Sequence, residues 1–257
     1  ELICEGYGAG SASSQIYLNG TAETAGISAV RLTSPNDGNV IDVSEYTTQG
    51  VTIEGAKDST NQLLAGGGGD DNITGGDEND TITGDAGADV LTGGAGADNF
   101  VYTAVDQGGN VAAPGATALT AGDVITDFVS GTDDLDYQAT ADGTNVVVSD
   151  GVAAIDLDTA GVVIVNTSLD FTAGTTTWAQ VAAALNTAAN DGFSATAEAV
   201  TYFAVLDDNG ADPDQYNVFE VTAGALLINA ALEVTIDTAS LVTTVDATLV
   251  AGDFILA

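Results

Sequence analysis

The sequence predicts an all-β protein: a parallel β-roll of short repeats that continues into further β-structure, with one short amphipathic helix. Three observations carry this. Residues 66–101 repeat with a period of nine. The acids are 29 Asp against 9 Glu, beside 32 Gly, and Asp and Gly favour turns over helix interiors. The flanking segments read as short runs of β-branched and apolar residues between polar turns.

The bulk composition narrows the function classes. Two basic residues, Arg31 and Lys57, stand against 38 acids, for a formal net charge of −36, while 45% of residues are hydrophobic. A chain of that charge repels nucleic acid and anionic membranes and cannot neutralise itself with salt bridges. Another cation must do so, or the acids serve only surface solvation. Carboxylates on the short Asp stem, held in tight loops, are suited to hard cations such as calcium. There is no His, and Cys4 is the single cysteine. An intramolecular disulfide, a His/Cys zinc site and Ser–His or Cys–His catalysis are therefore excluded within these residues. Cys4 reads as a small buried or partly buried hydrophobe. No apolar run reaches membrane-span length, so membrane insertion is not expected. With no Met and no leader at residue 1, the chain is expected to begin inside a longer precursor.

Three regions follow. Residues 1–65 read as degenerate strand–turn repeats, with strands over Gln15–Leu18, Ala29–Leu32, Val40–Val43 and Val51–Ile53. Residues 66–137 hold the roll and the strands that close it. Residues 138–257 read as a C-terminal β-rich domain. Its strands are expected over Asn145–Ser149, Val162–Asn166, Ala199–Leu206, Asn217–Thr222, Leu226–Ile228 and Leu232–Ile236. One helix is expected there over Thr176–Asn190, with Trp178, Val181, Ala182, Leu185 and Ala189 at helical spacing and Gly192 just beyond its end.

The repeats read GGGGDDNIT, GGDENDTIT, GDAGADVLT and GGAGADNFV from residue 66. The sixth position is always Asp: Asp71, Asp80, Asp89 and Asp98. The eighth is always large and apolar: Ile73, Ile82, Leu91 and Phe100. A flexible glycine linker needs no hydrophobic period, so two columns in phase argue for a folded repeat. Six residues turn, and three form a brief strand whose eighth-position side chain enters a narrow core. If successive strands lie on opposite sheets, loops two units apart stack on one edge. A calcium ion then fits between loop n and loop n+2, pairing Asp71 with Asp89 and Asp80 with Asp98. The remaining oxygens come from backbone carbonyls, with Gly66, Gly68, Gly75, Asp77, Asp85, Gly87, Gly94 and Gly96 as the candidate donors. Glu78 and Asp85 replace glycines, and a non-glycine at positive φ costs about 1 kcal/mol. The second and third loops are therefore expected to be less regular.

This motif resembles the repeat-in-toxin (RTX) nonapeptide GGxGxDxUx of calcium-binding secreted proteins. GADNFVY (96–102) followed by GDVITDFVSGTDDLDY (122–137) is similar to the C-terminal RTX domain of serralysin-type proteins. That resemblance implies a further calcium bound with Asp123 and Asp133, and an Asp127 that caps or orients the turn. The ending GDFILA resembles a type I secretion signal. The cadence of residues 25–66 is similar to that of calcium-dependent, RTX-bearing surface-layer proteins. The resemblance implies an extracellular, cell-surface structural protein that self-associates into a lattice or filament, with cell-surface glycan as a further partner. It implies no enzyme, and neither an HExxH helix nor a nucleophile elbow occurs. The alternatives are the non-catalytic tail of a secreted protease or lipase, and an adhesin or fibre subunit. The acidic segment Asp207–Asp214 reads as a hairpin loop or as a further calcium loop without EF-hand spacing.

Overall fold

The structure is a computed structural model. It describes residues 2–4, 15–33, 40–57, 61–104, 107–108, 121–137, 141, 145–149, 155–156, 160–165, 175–177, 180–181, 193–194, 200–207, 215–223, 236–247 and 249–256. Twelve short strands alternate between two sheets. They are β1 Leu2–Cys4, β2 Gln15–Tyr17, β3 Ala29–Leu32, β4 Val40–Asp42, β5 Thr52–Glu54, β6 Leu63–Gly68, β7 Asn72–Gly76, β8 Thr81–Ala86, β9 Val90–Gly94, β10 Asn99–Val101, β11 Asp123–Ile125 and β12 Asp134–Asp136. Odd strands run in the order β1-β3-β5-β7-β9-β11, and even strands in the order β2-β4-β6-β8-β10-β12. Every one of these pairings is parallel. The roll therefore begins well before the glycine-rich repeats, and the lead-in strands are coils of it.

Side chains alternate across a strand, so a three-residue strand with one central hydrophobe sends that residue inward and its neighbours outward. The inward residues stack in register along each sheet, each the second of its strand except Ile125, which ends β11. On one sheet they are Val30, Ile53, Ile73, Leu91 and Ile125; on the other, Ile16, Ile41, Leu64, Ile82, Phe100 and Leu135. All are buried and belong to one core cluster. Burying each contributes about 1.5–3 kcal/mol, which is what lets coils of such short strands hold together.

The C-terminal part extends both sheets. Its strands are β13 Asn145–Ser149, β14 Ile155–Asp156, β15 Ala160–Val165, β16 Phe193–Ser194, β17 Val200–Asp207, β18 Gln215–Ala223, β19 Ile236–Asp246 and β20 Phe254–Ile255. β19 pairs in parallel with β11 and antiparallel with β18, and the first sheet continues through β17, β15 and β13. β20 adds to β12, setting Phe254 beside Leu135. β14 and β16 form a separate pair. Tyr102, Tyr137 and Tyr202 stack with ring centroids 5.0 and 4.0 Å apart and join the roll to β17.

The strands expected over residues 15–53, 145–149 and 199–222 occur with boundaries shifted by at most a few residues. The strands expected in 102–137 are β11 and β12, which lie in different sheets and are not partners. One helix was not anticipated: α1, Gly20–Thr24, a single turn capped by the Asn19 side chain, with no buried residue. The helix expected over 176–190 falls almost wholly outside the described residues, as do the strands expected over 226–228 and 232–236, the loop 208–214 and the Cys4 side chain.

Phe100 is fully buried and packs against Phe128 at 6.2 Å between ring centroids. Phe100→Ala should destabilise the calcium-loaded protein by about 3–5 kcal/mol through the cavity it leaves. Denaturant titration at saturating calcium checks this.

Candidate metal centre

The sixth-position aspartates point inward, two residues ahead of the core hydrophobe on the same face. They form two ladders. On one edge the Val51 amide donates to Asp71 Oδ1 (2.7 Å), the Asp71 amide to Asp89 Oδ1 (2.8 Å) and the Asp89 amide to Asp123 Oδ1 (3.0 Å). On the other, Gln62 donates to Asp80 (2.8 Å), Asp80 to Asp98 (2.8 Å) and Asp98 to Asp133 (2.9 Å), again from amide to Oδ1. Each carboxylate thus holds the backbone of the coil before it. The structure brings together Asp71 with Asp89 and Asp80 with Asp98, each pair 18 residues apart. It places Asp123 and Asp133 as the next members of the two ladders, 34 and 35 residues on.

All six aspartates are at most 4% exposed, and no basic side chain reaches them. Arg31 pairs at the surface with Glu54 at 2.5 Å. Burial, reinforced by neighbouring carboxylates, pushes Asp71 and Asp98 up to about 6 and raises Asp80. Burial also raises Asp89 and Asp123, with the Asp71 carboxylate adding to the first and the Asp89 carboxylate to the second. Asp89 Oδ2 and Asp123 Oδ2 are buried with no hydrogen-bond partner. Stacked, buried, uncompensated carboxylates are the environment a divalent cation repairs. Among the described residues no three Asp, Glu, His or Cys side chains gather as a metal cluster. Two carboxylates per site therefore need carbonyl oxygens to complete the coordination, and an all-oxygen set of that kind suits a hard cation.

The first-position glycines are required by the carboxylates. A Cβ on Gly66 or Gly75 would collide with Asp71 Oδ2 or Asp80 Oδ2, and with the carbonyl of Gly84 or Gly93 in the coil above. The second-position amides of Gly67 and Gly76 donate to the same Oδ2 atoms, at 2.9 and 2.6 Å. In the third unit that position is Asp85, at φ 68°, the one described non-glycine residue with positive φ. No second-position amide reaches Asp89 Oδ2 there, which is why that oxygen is orphaned. The Asp85 side chain instead accepts from Gln107 Nε2 (2.7 Å). In the fourth unit the Gly93 and Gly94 amides go to Asp127 (2.9 and 2.8 Å), so Asp127 orients that turn.

The expected irregularity of the second loop needs correcting in its cause. Fourth-position Gly69, Gly87 and Gly96 have positive φ, but Glu78 does not. The backbone of that loop avoids the left-handed region, so the strain anticipated there is absent. Asp77 lies exposed on the same loop, and Gly68 ends β6 against the Thr47 carbonyl.

Several site residues were not anticipated. Val51 and Gln62 terminate the ladders at the lead-in side. Gln62 also closes on Ala56, accepting from its amide (2.8 Å) and donating to its carbonyl (3.1 Å). Gln62 stands nine residues before Asp71, so extending the repeat alignment backward would have found it, whereas Val51 lies 20 residues before Asp71 and falls outside the period. Glu23 accepts from the amides of Thr48 and Gln49, both at 3.0 Å, and steadies the adjoining lead-in turn. Asp253 is fully buried and accepts from the Gly131 amide (2.7 Å) and the Ser130 hydroxyl (2.9 Å). No local pattern announces either contact.

These features define a parallel β-roll whose buried aspartate ladders face stacked glycine turns. Residues 65–100 match the family model of the RTX calcium-binding nonapeptide repeat, in four copies. The cation of this segment is accordingly calcium, and the repeat is a binding and structural module, not a catalytic one. No curated protein matches the chain. Among the described residues, no helix is long and apolar enough to cross a membrane.

Two outcomes follow. Asp89→Ala should reduce calcium stoichiometry or affinity in calorimetry, since it removes a ladder carboxylate. Asp85→Ala should keep the stoichiometry, because that side chain engages Gln107. In chelator, the raised Asp71 and Asp98 bind a proton more tightly in the folded state than in the unfolded chain, whose value lies near 3.9. Their stabilising effect is complete below that value and is lost as pH rises through about 6. Calcium-free protein should therefore gain stability on acidification toward pH 4, whereas calcium affinity should fall over the same range. Thermal melts with and without calcium should show the opposite slopes.

Proposed function

We propose that this protein is a calcium-folded structural component of a bacterial extracellular surface assembly, a surface-layer lattice in which calcium also promotes self-association. The observation that carries the reading is the continuity of the scaffold. The calcium-binding coils are the middle of one roll that lead-in coils extend on one side and a large sheet on the other. A module serving only as a tail would need no such extension. Calcium is held between Asp71 and Asp89, Asp80 and Asp98, Asp89 and Asp123, and Asp98 and Asp133. The turn carbonyls of Gly66, Gly68, Gly75, Asp77, Asp85, Gly87, Gly94 and Gly96 supply further oxygens. When bound, the ion supplies positive charge that the chain does not contain. The aspartates hold it, and their Oδ1 atoms keep each coil in register with the one before.

The charge of −36 keeps copies apart where calcium is scarce, because exposed like charges repel over about 8 Å at physiological salt. Calcium shared between acidic loops of neighbours would neutralise chosen contacts, which monovalent salt cannot do. Asp207, Asp208, Asp212 and Asp214 are the first candidates. Secretion by a type I route and placement at the cell surface, with glycan as an attachment partner, complete the reading.

Far-UV circular dichroism in chelator should show lost β signal, restored by calcium and hardly by magnesium, which demands octahedral geometry. As calcium is raised at constant ionic strength, light scattering and negative-stain imaging should show regular arrays or filaments. A folded roll that stays monomeric throughout would refute the lattice reading and favour the tail of a secreted enzyme.

A further inference from the structure

The first ladder does not stop at Asp123. The residue in register with Asp123 on the next strand is Thr243 of β19, and both are 0% exposed. Parallel partners in register point to the same face, so Thr243 occupies the inward place that Asp71, Asp89 and Asp123 fill in the coils before it. Its Oγ1 is buried and makes no hydrogen bond, and the same holds for Asp89 Oδ2, Asp123 Oδ2 and the Tyr102 hydroxyl. Tyr102 stands nine residues after Gly93, where a fifth repeat would have its first-position glycine. Its hydroxyl faces both Asp123 and Thr243.

Leaving a buried polar atom unsatisfied forfeits its hydration without replacement, and the cost is larger for a charged one. Four such atoms gathered at one end of a ladder, two of them on facing carboxylates, call for an occupant. A base is not at hand: Arg31 is engaged with Glu54 at the surface, and Lys57 lies on the turn after β5. The donor set is all oxygen, which suits a hard divalent cation.

We propose that a calcium ion seated between Asp89 and Asp123 is completed by the Thr243 hydroxyl, and that it thereby pins β19, and with it the C-terminal sheet, to the roll. The Tyr102 hydroxyl is a positioning group for Asp123 at this site. The inference rests on the calcium reading above and adds to it a ligand from the chain's last strands, about 120 residues beyond Asp123. It makes the ion at this end a fastener between two parts of the protein, whereas those within the repeats join one turn to the next. Loss of calcium should then loosen the seam between β11 and β19 as well as the glycine turns.

The test uses the full chain with Thr243→Val, which keeps shape and removes the hydroxyl, and Thr243→Ser, which keeps the hydroxyl. Calcium alone is titrated by calorimetry, and amide exchange of residues 236–246 is followed with and without it. Wild type and Thr243→Ser should bind the same number of ions and protect β19 only with calcium. Thr243→Val should lose one ion, or bind one roughly 10- to 100-fold more weakly, while β7 and β9 keep their calcium-dependent protection. Identical binding and β19 protection in Thr243→Val and wild type would overturn the inference and leave the calcium reading intact. Wild type that binds no calcium would overturn that reading itself. Terbium supplies a check that does not need the Val variant to fold. Tyrosine-sensitised terbium emission should drop in Tyr102→Phe at unchanged stoichiometry, and undiminished emission would place the ion away from this pocket and overturn the proposal.

Discussion

Six carboxylates buried along the interior edges of a roll, with no basic side chain among them, are the constraint on which the rest of this structure depends. Buried charge of one sign is tolerated only if it is protonated, hydrogen-bonded or paired. Here the backbone does part of that work, since each Oδ1 takes an amide from the coil before. The rest falls to calcium. The spacing of the repeats follows from this, because a carboxylate can reach the preceding coil's amide only if the coils stack in register. The first-position glycines follow too, since the carboxylate occupies the space that a Cβ would fill.

The same roll contains coils that manage without such a ladder. In the lead-in, Val51 and Gln62 occupy the aspartate places. Glu23 takes its hydrogen bonds at an exposed turn, where the cost of charge is small. The core column passes through both kinds of coil unchanged, from Val30 and Ile41 to Ile125 and Leu135. Hydrophobic stacking therefore supplies a continuous spine, and what varies along it is how the turns are neutralised. Lead-in coils neutralise their turns with local hydrogen bonds, whereas the tight glycine coils bury carboxylates that face a calcium site.

At the far end the roll is closed by segments remote in sequence. β19 continues the first sheet and β20 the second, and the Tyr102–Tyr137–Tyr202 stack fills the space between. Asp253 fastens the turn that precedes β12. Asp133 also receives the Val129 amide, so one turn joins the closing rung to the Asp98–Asp133 ladder.

Residues 66–101 were legible as a folded repeat because their two requirements, a carboxylate at the sixth position and a hydrophobe at the eighth, recur at fixed local spacing. The pairing of Asp71 with Asp89 and of Asp80 with Asp98 could be read from that period alone. The lead-in strands were legible as strands. Their membership of the same roll was not, because turns of variable length hide the period: Val51 and Asp71 are 20 residues apart where later partners are 18. The sequence by itself determined the β class, the calcium chemistry and the register of the central coils, since all three depend on interactions within one or two turns. Only the tertiary structure decided that Thr243 succeeds Asp123, that Asp253 grips residues 130–131, and that Glu78 escapes positive φ while Asp85 does not. Those outcomes depend on which distant segment reaches the end of each sheet and on how a loop relaxes against its neighbours, and no local pattern encodes either.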